Sequence, residues 1–199
     1  MSRQVCTVMG TADPGTATED NTMFFTTAQL EAVVAEGQMR RLPVWLEHGD
    51  ATKEQIGEVV YAWVDESGMH VLIALDLQLV RSRAVMQWIS SGIFQGLSLG
   101  YTATLDKAFN VTHKRIHELS IVRRPYHKSC KIFYTGLLPS DLLQRVAPGH
   151  KLKSTSALNA SACDEQATQV STLDVPCTDK APCTIPAEMS EVLSTYMQG

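Results

Sequence analysis

A mainly-β fold with a few helices packed around it is what this sequence predicts, and three observations predict it. Segments of strand character outnumber segments of helical character. Turn-forming residues recur at the short spacing of an all-β domain. The segments 55–64 and 69–75 are both strand-like and are joined by Glu66-Ser67-Gly68, the arrangement of a β-hairpin.

Each element follows from local chemistry. Residues 5–9 are short and β-prone, and Asp13-Pro14-Gly15 turns the chain after them. Thr27 is placed to cap a helix from residue 28 to about 40, with Leu30, Val33 and Val34 on one side. A loop-and-strand segment, Leu42-Pro43-Val44-Trp45-Leu46-Glu47-His48, follows and ends on a histidine. After the hairpin, residues 79–89 carry Val80, Ala84, Val85, Trp88 and Ile89 at helical spacing, and Gly92 is placed to stop that helix. Residues 94–105 read as a long strand, 107–111 as a turn, 114–122 as a further strand and 130–134 as a short one. Pro139-Ser140-Asp141 opens a short helix reaching Val146.

From about Ala147 the composition shifts to Ser, Thr, Ala, Pro and Asp, which bury too little apolar surface to offset ordering entropy. The expected organisation is therefore one domain over residues 1–146 and a flexible tail over 147–199, with a weak helix at 188–197. No internal repeat is visible.

Composition narrows the function classes. The 199 residues are 44% hydrophobic and 19% charged, enough for one domain with a real core. The net charge of −4 and the lack of a long basic block argue against nucleic acid as a partner. The first residues lack the apolar stretch of a secretory signal, and no run is long and apolar enough to span a bilayer. The cysteines Cys6, Cys130, Cys163, Cys177 and Cys183 are odd in number and irregularly spaced, with no C-x-x-C, which suits a reducing compartment. No H-E-x-x-H or H-x-H pattern occurs among the histidines, which argues against a metal site, and the serine chemistry described below needs no metal or other cofactor.

Three short runs carry the chemistry. In Gly96-Leu97-Ser98-Leu99-Gly100-Tyr101, strand alternation sends Leu97, Leu99 and Tyr101 to the core and leaves Ser98 outward beside Gly100, where a missing side chain leaves room for a substrate backbone. His48 ends the earlier segment, and a neutral imidazole can take a proton from a serine hydroxyl and return it to a leaving amine. Serine and histidine are the minimum for nucleophilic acyl transfer, provided folding brings Ser98 and His48 to neighbouring strands. The third run is Ile116-His117-Glu118-Leu119-Ser120-Ile121-Val122-Arg123-Arg124-Pro125. There His117 shares parity with the core-facing Leu119 and Ile121, while Glu118 and Ser120 take the other face, the one expected near Ser98. Alternation thus favours Glu118 as the group orienting His48, and a bulge would reverse the parity. Arg123 and Arg124 leave the strand where a backbone N–H or a guanidinium could stabilise an oxyanion. In isolation each of these residues also reads as an ordinary half-exposed polar side chain.

In this order and spacing the three runs resemble the herpesvirus capsid maturation proteases (assemblins) and the related prohead proteases of tailed phages, over about residues 3–135. Leu42-Pro43 through His48 is similar to the family's Leu-Pro…His motif, Ile56-Gly57-Glu58-Val59 to its Val-Gly-His-Val segment, and Gly96-Leu97-Ser98-Leu99 to its nucleophile strand. Glu118 to Pro125 resembles the phage Glu-Val-Ser-Leu-Val-x-x-Pro pattern, and the arginine pair resembles the herpesvirus version. The gap before the arginines is shorter than in the herpesvirus enzymes, and several of their helices have no counterpart.

The resemblance implies a small closed antiparallel β-barrel with outer helices and serine endopeptidase activity on internal scaffold protein during procapsid maturation. Ser98 would be the nucleophile and His48 the general base. The third member would be His117 by residue type or Glu118 by ungapped match, with Arg123 or Arg124 at the oxyanion. It also implies a homodimer at the virus assembly site inside the procapsid, in the host nucleus or the cytoplasm according to lineage, with the major capsid protein an indirect partner. Ala157-Leu158-Asn159-Ala160-Ser161-Ala162 is similar to scaffold cleavage sites, which implies self-cleavage between Ala160 and Ser161. The competing readings are a non-catalytic capsid-assembly barrel and a cysteine hydrolase using Cys130.

Overall fold

The computed structural model describes residues 4–16, 25–49, 54–76, 79–107 and 111–139. Pro139, expected to open a helix, instead ends the last strand, which runs Ile132–Pro139 and not over 130–134. The rest of that expected helix, the tail over 147–199, the Ala160-Ser161 bond and three of the five cysteines lie outside the described residues. Among the described residues, seven strands and two helices follow in the order β1 (Gln4–Asp13), α1 (Thr27–Ala35), β2 (Pro43–Leu46), β3 (Gly57–Asp65), β4 (Gly68–Leu75), α2 (Val80–Ser90), β5 (Gly96–Leu105), β6 (Val111–Val122) and β7 (Ile132–Pro139). The mainly-β architecture with peripheral helices is the one predicted.

All seven strands form one sheet, in the order β5-β6-β2-β3-β4-β1-β7, curled into a half-barrel. The two edge strands meet at one end, where Gly96 bridges to Lys131 and Leu97 donates its N–H to the Cys130 carbonyl at 3.1 Å. The β3–β4 hairpin forms as predicted, its last pair being Asp65 with Gly68. β2 runs parallel to β6, with Trp45 opposite Ser120, whereas the other pairings are antiparallel. The sheet is thus mostly antiparallel, as expected, with this one parallel pair. β2 has only four residues, and its direction is set by what lies on either side.

The inner face of the curl holds the main core, including Val8, Leu30, Val44, Ile56, Val71, Ile73, Leu97, Leu119 and Ile121. A second cluster on the opposite face joins Val5, Met9, Trp63, Leu72 and Leu138. β4 contributes to both, its odd positions to one and its even positions to the other, so all eight of its residues are buried. This explains its near-continuous apolar run.

Helix α1 is shorter than predicted and capped one residue earlier. Thr26, not Thr27, is the N-cap. Its hydroxyl accepts the Gln29 N–H at 3.1 Å, and the Gln29 side chain accepts the Thr26 N–H at 3.0 Å, a reciprocal capping box. Gly37, at φ 71°, ends the helix, with Gln38 N–H bonded back to the Val33 carbonyl. Helix α2 stops before Gly92, at φ 74°, as its sequence predicts. Ser82 of α2 is fully buried and donates to the Ile56 carbonyl at 2.9 Å, anchoring the helix to the chain entering β3.

Candidate functional site

The site forms around the centre of β6. Register places Ser98 of β5 opposite Ser120 on one side, and Trp45 of β2 opposite Ser120 on the other. Ser98 and the β2 segment that leads to His48 therefore flank one residue. They are not on adjacent strands as the sequence reading required; β6 lies between them. Directly paired residues share a face of a sheet, and residues two apart on a strand do so too. Ser98, Gly100, Glu118 and Ser120 thus occupy one face, while Leu97, Leu119 and Ile121, all fully buried, occupy the inner one.

His48 reaches this face because the chain reverses after β2. Glu47, His48 and Gly49 are three consecutive residues in left-handed backbone, with φ of 46°, 57° and 72°. Two of them carry side chains, for which this conformation costs energy. Hydrogen bonds hold the reversal: Glu47 N–H to the Ile121 carbonyl at 3.2 Å, Gly49 N–H to the Leu46 carbonyl at 2.9 Å, and His48 N–H to Ser120 Oγ at 3.0 Å. Gly49 is required for shape as well, since a β-carbon there would collide with the Trp45 ring.

His48 Nδ1 lies 2.6 Å from Glu118 Oε1, joining a half-exposed imidazole to a buried carboxyl. An ionised carboxylate only accepts hydrogen bonds, so Nδ1 carries the proton and Nε2 is the basic nitrogen. The other oxygen of Glu118, Oε2, accepts from the Ser120 hydroxyl at 2.9 Å. The Glu118 hydrogen bond raises the His48 pKa above its ordinary value; burial works against this, and the negative charges of Glu118 and Glu47 add to it. An imidazole so placed holds a proton more tightly than a free one and is correspondingly a stronger base.

Of the two candidates for the group beside His48, the structure brings Glu118 and not His117. Opposite β6, register slips between Gly100 and Tyr101, which pair with Glu118 and Ile116, so His117 is the bulged residue. Ile116 turns inward and His117 is exposed, contrary to the core-facing parity that alternation predicted. The space at Gly100 also differs from expectation. It is filled by the Glu118 side chain, into which a β-carbon on Gly100 would collide, and is not left open for a substrate.

Arg123 and Arg124 are both exposed. The Arg123 N–H, a candidate oxyanion donor, is engaged by Glu47 Oε1 at 3.1 Å, with the guanidinium Nε 3.5 Å from the same oxygen. Its guanidinium also lies 5.6 Å above the Phe94 ring. Sequence reasoning missed this contact and the part played by Ser120; the Glu-x-Ser spacing, with both residues on one strand face, was the available signal.

Cys130, the rival nucleophile, and two further histidines are engaged elsewhere in the fold. Cys130 is buried beside the Ala12 carbonyl, and burial, with the charge of Asp13, pushes its thiol up to about 12, far from a thiolate nucleophile. His70 is fully buried, bonded to Thr11 at 3.1 Å, Asp65 at 2.9 Å and Ser67 at 3.0 Å and packed on Trp63. His127 bonds its near neighbour Ser129. Among the described residues no group of His, Cys, Asp and Glu could hold a metal ion, and no helix is long and apolar enough to cross a membrane.

No family model and no curated protein matches the sequence. Solved structures of Kaposi's sarcoma herpesvirus (KSHV) protease are similar to it. One, in complex with a hexapeptide phosphonate inhibitor, has 10% identity and a TM-score of 0.47 over 66% of this chain, which spans 65% of that protease chain. Another, in complex with an allosteric inhibitor, has 13% identity and a TM-score of 0.43 over 66% of this chain and 76% of that one. The solved structures similar to this chain thus include herpesvirus proteases, the group its sequence motifs resemble.

Proposed function

We propose that this protein is a serine endopeptidase with Ser98 as nucleophile, His48 as general base and Glu118 as the group that orients His48. The observation that carries this reading is the 2.6 Å contact of His48 Nδ1 with a buried carboxyl on the strand residue that pairs two positions from Ser98. A half-exposed imidazole tied to a buried acid beside a strand serine is an arrangement suited to proton transfer.

In the reaction, Ser98 Oγ bonds to the scissile carbonyl carbon while its proton passes to His48 Nε2. Glu118 holds the resulting imidazolium by charge and hydrogen bond. Collapse of the tetrahedral intermediate breaks the C–N bond, and His48 gives its proton to the departing amine. Water then repeats the sequence on the acyl-enzyme. Arg123 or Arg124 would stabilise the oxyanion; for the Arg123 N–H, the Glu47 carboxylate must first give way.

The finer part of the proposal rests on the sequence resemblance. The substrate is internal viral scaffold protein, cut as the procapsid matures, and the chain also cuts itself between Ala160 and Ser161. It works as a homodimer at the assembly site inside the procapsid, meets the major capsid protein only indirectly, and binds neither nucleic acid nor membrane.

Labelling with a fluorophosphonate probe tests the activity. Modification is expected at Ser98 and should disappear in Ser98→Ala and His48→Ala. A folded protein that takes no label is a non-catalytic assembly barrel, and the peptidase reading fails. Intact mass of the wild type beside Ser98→Ala tests self-cleavage: only the wild type should shorten, and equal masses after long incubation remove that part.

A further inference from the structure

We propose that Ser120 is a positioning residue for this reaction, one hydroxyl fastening both the acid and the base; the inference rests on the peptidase reading above. Ser120 is fully buried at the midpoint of the site, between Ser98 on β5 and Trp45 on β2. Its Oγ accepts the His48 backbone N–H at 3.0 Å and donates to Glu118 Oε2 at 2.9 Å.

The direction of these bonds is forced. A backbone N–H only donates, so the hydroxyl oxygen must accept there. Its single proton is then directed to the carboxylate. The first bond pins His48 in its left-handed backbone, at φ 57°, a conformation that needs holding in a residue with a side chain. The second fixes the rotation of the Glu118 carboxyl, so that when Oε2 is bound Oε1 faces His48 Nδ1. Glu118 and His48 come from strands far apart in sequence, and Ser120 sets their relative position from one atom. Ser82 provides a contrast: it is equally buried, but its hydroxyl bonds one main-chain carbonyl and serves only to anchor a helix.

Loss of this hydroxyl should act through Glu118. In Ser120→Ala, kcat is expected to fall roughly 10- to 100-fold, the range for removing a group that orients a reacting one, with KM changed less than about twofold. In a Glu118→Gln background the same substitution should cost less than about threefold, because the carboxylate it orients is already gone.

The second readout needs no activity. In Ser98→Ala protein, NMR titration of the His48 ring should move to lower pH when Ser120→Ala is added, since the Glu118 bond that holds the ring up slackens. Glu118 from β6 and Glu47 from the end of β2 are the charged groups acting on that ring. Ser120→Cys keeps the shape with a weak donor and should shift the titration the same way, which keeps the test open if Ser120→Ala does not fold. An unchanged His48 titration in folded variants, or full additivity with Glu118→Gln, would reduce Ser120 to a packing residue and overturn the proposal. Absence of probe labelling at Ser98 together with a shifted titration would instead sink the peptidase reading and leave the coupling intact.

Discussion

Glu118 occupies the space that Gly100 leaves by having no side chain: the two residues pair directly across β5 and β6, and a β-carbon on Gly100 would run into the carboxyl group. The glycine is therefore a steric condition for the orientation of Glu118 toward His48.

Gly100→Ala should displace that carboxyl while leaving the strands paired, since the glycine φ is not left-handed and alanine can adopt it. The expected result is a loss of kcat/KM of at least about tenfold, as the misplacement of a group near the reacting atoms costs one to two orders of magnitude. Circular dichroism should remain that of the wild type. Wild-type kinetics in Gly100→Ala would show that the carboxyl has room to spare.

The bulge at His117 separates the two candidates for the third member. Glu118→Gln can present an amide N–H to His48 Nδ1 and select the wrong tautomer, so kcat/KM should drop by about two orders of magnitude or more. His117→Ala removes an exposed ring and should change it less than about threefold. Peptide-cleavage rates of the two variants decide the assignment, and the opposite ranking would reject it.

His48 must be neutral at Nε2 to accept the Ser98 proton. Because the Glu118 bond raises its pKa above the ordinary 6.5, kcat/KM should rise with pH to a midpoint above that value. Glu118→Gln should bring the midpoint down. The linked stability has the opposite sense. With a raised folded-state pKa, the contribution of the His48–Glu118 pair is complete below 6.5 and is lost as pH rises through the folded value. The pair is thus most cohesive where the base is protonated and inactive. A pH–rate profile beside thermal melts at the same pH values tests both halves.

Asp13 offers a pH effect away from the site. It is buried and accepts the Gly15 N–H at 2.8 Å. Burial raises its pKa from 3.8 to about 6, against the lowering effect of backbone hydrogen bonds from Gly15 and Phe25 and of the Lys114 charge. The stability linked to it is complete below 3.8 and is lost as pH rises through about 6. At neutral pH a carboxyl held about two pH units high costs up to roughly 3 kcal/mol. Asp13→Asn keeps an oxygen for Gly15 and removes the charge, so the melting temperature should rise by a few degrees at pH 7.5 and change less between pH 4 and 7. A lower melting temperature at pH 7.5 would mean that the charge is stabilised by its surroundings.

Much of the site was legible because a strand alternates with period two. Alternation alone put Glu118 and Ser120 on the face of Ser98 and sent Leu97, Leu119 and Ile121 inward. The exposure of His117 was not legible, because a bulge depends on how two strands twist against each other and leaves no local mark. The filled space at Gly100 was misread for a related reason: a glycine signals that something approaches closely, and which group does so is settled across the ladder. The Glu47 carboxylate on the Arg123 N–H joins residues 76 positions apart and has no local signal.

Local chemistry along the chain determined most of the strands, the hairpin, the stop of α2 at Gly92, and the alternation that makes Ser98, Glu118 and Ser120 share a face. Those follow from backbone sterics and burial of apolar side chains, which act over a few residues. Only the tertiary structure decided that β2 lies parallel to β6, that the chain reverses at Glu47-His48-Gly49, and that His48 consequently meets Glu118 with Ser120 between their anchors. Which strand lies beside which, and in what direction, is set by closing the curled sheet around one core, a condition on the whole chain that no single segment contains.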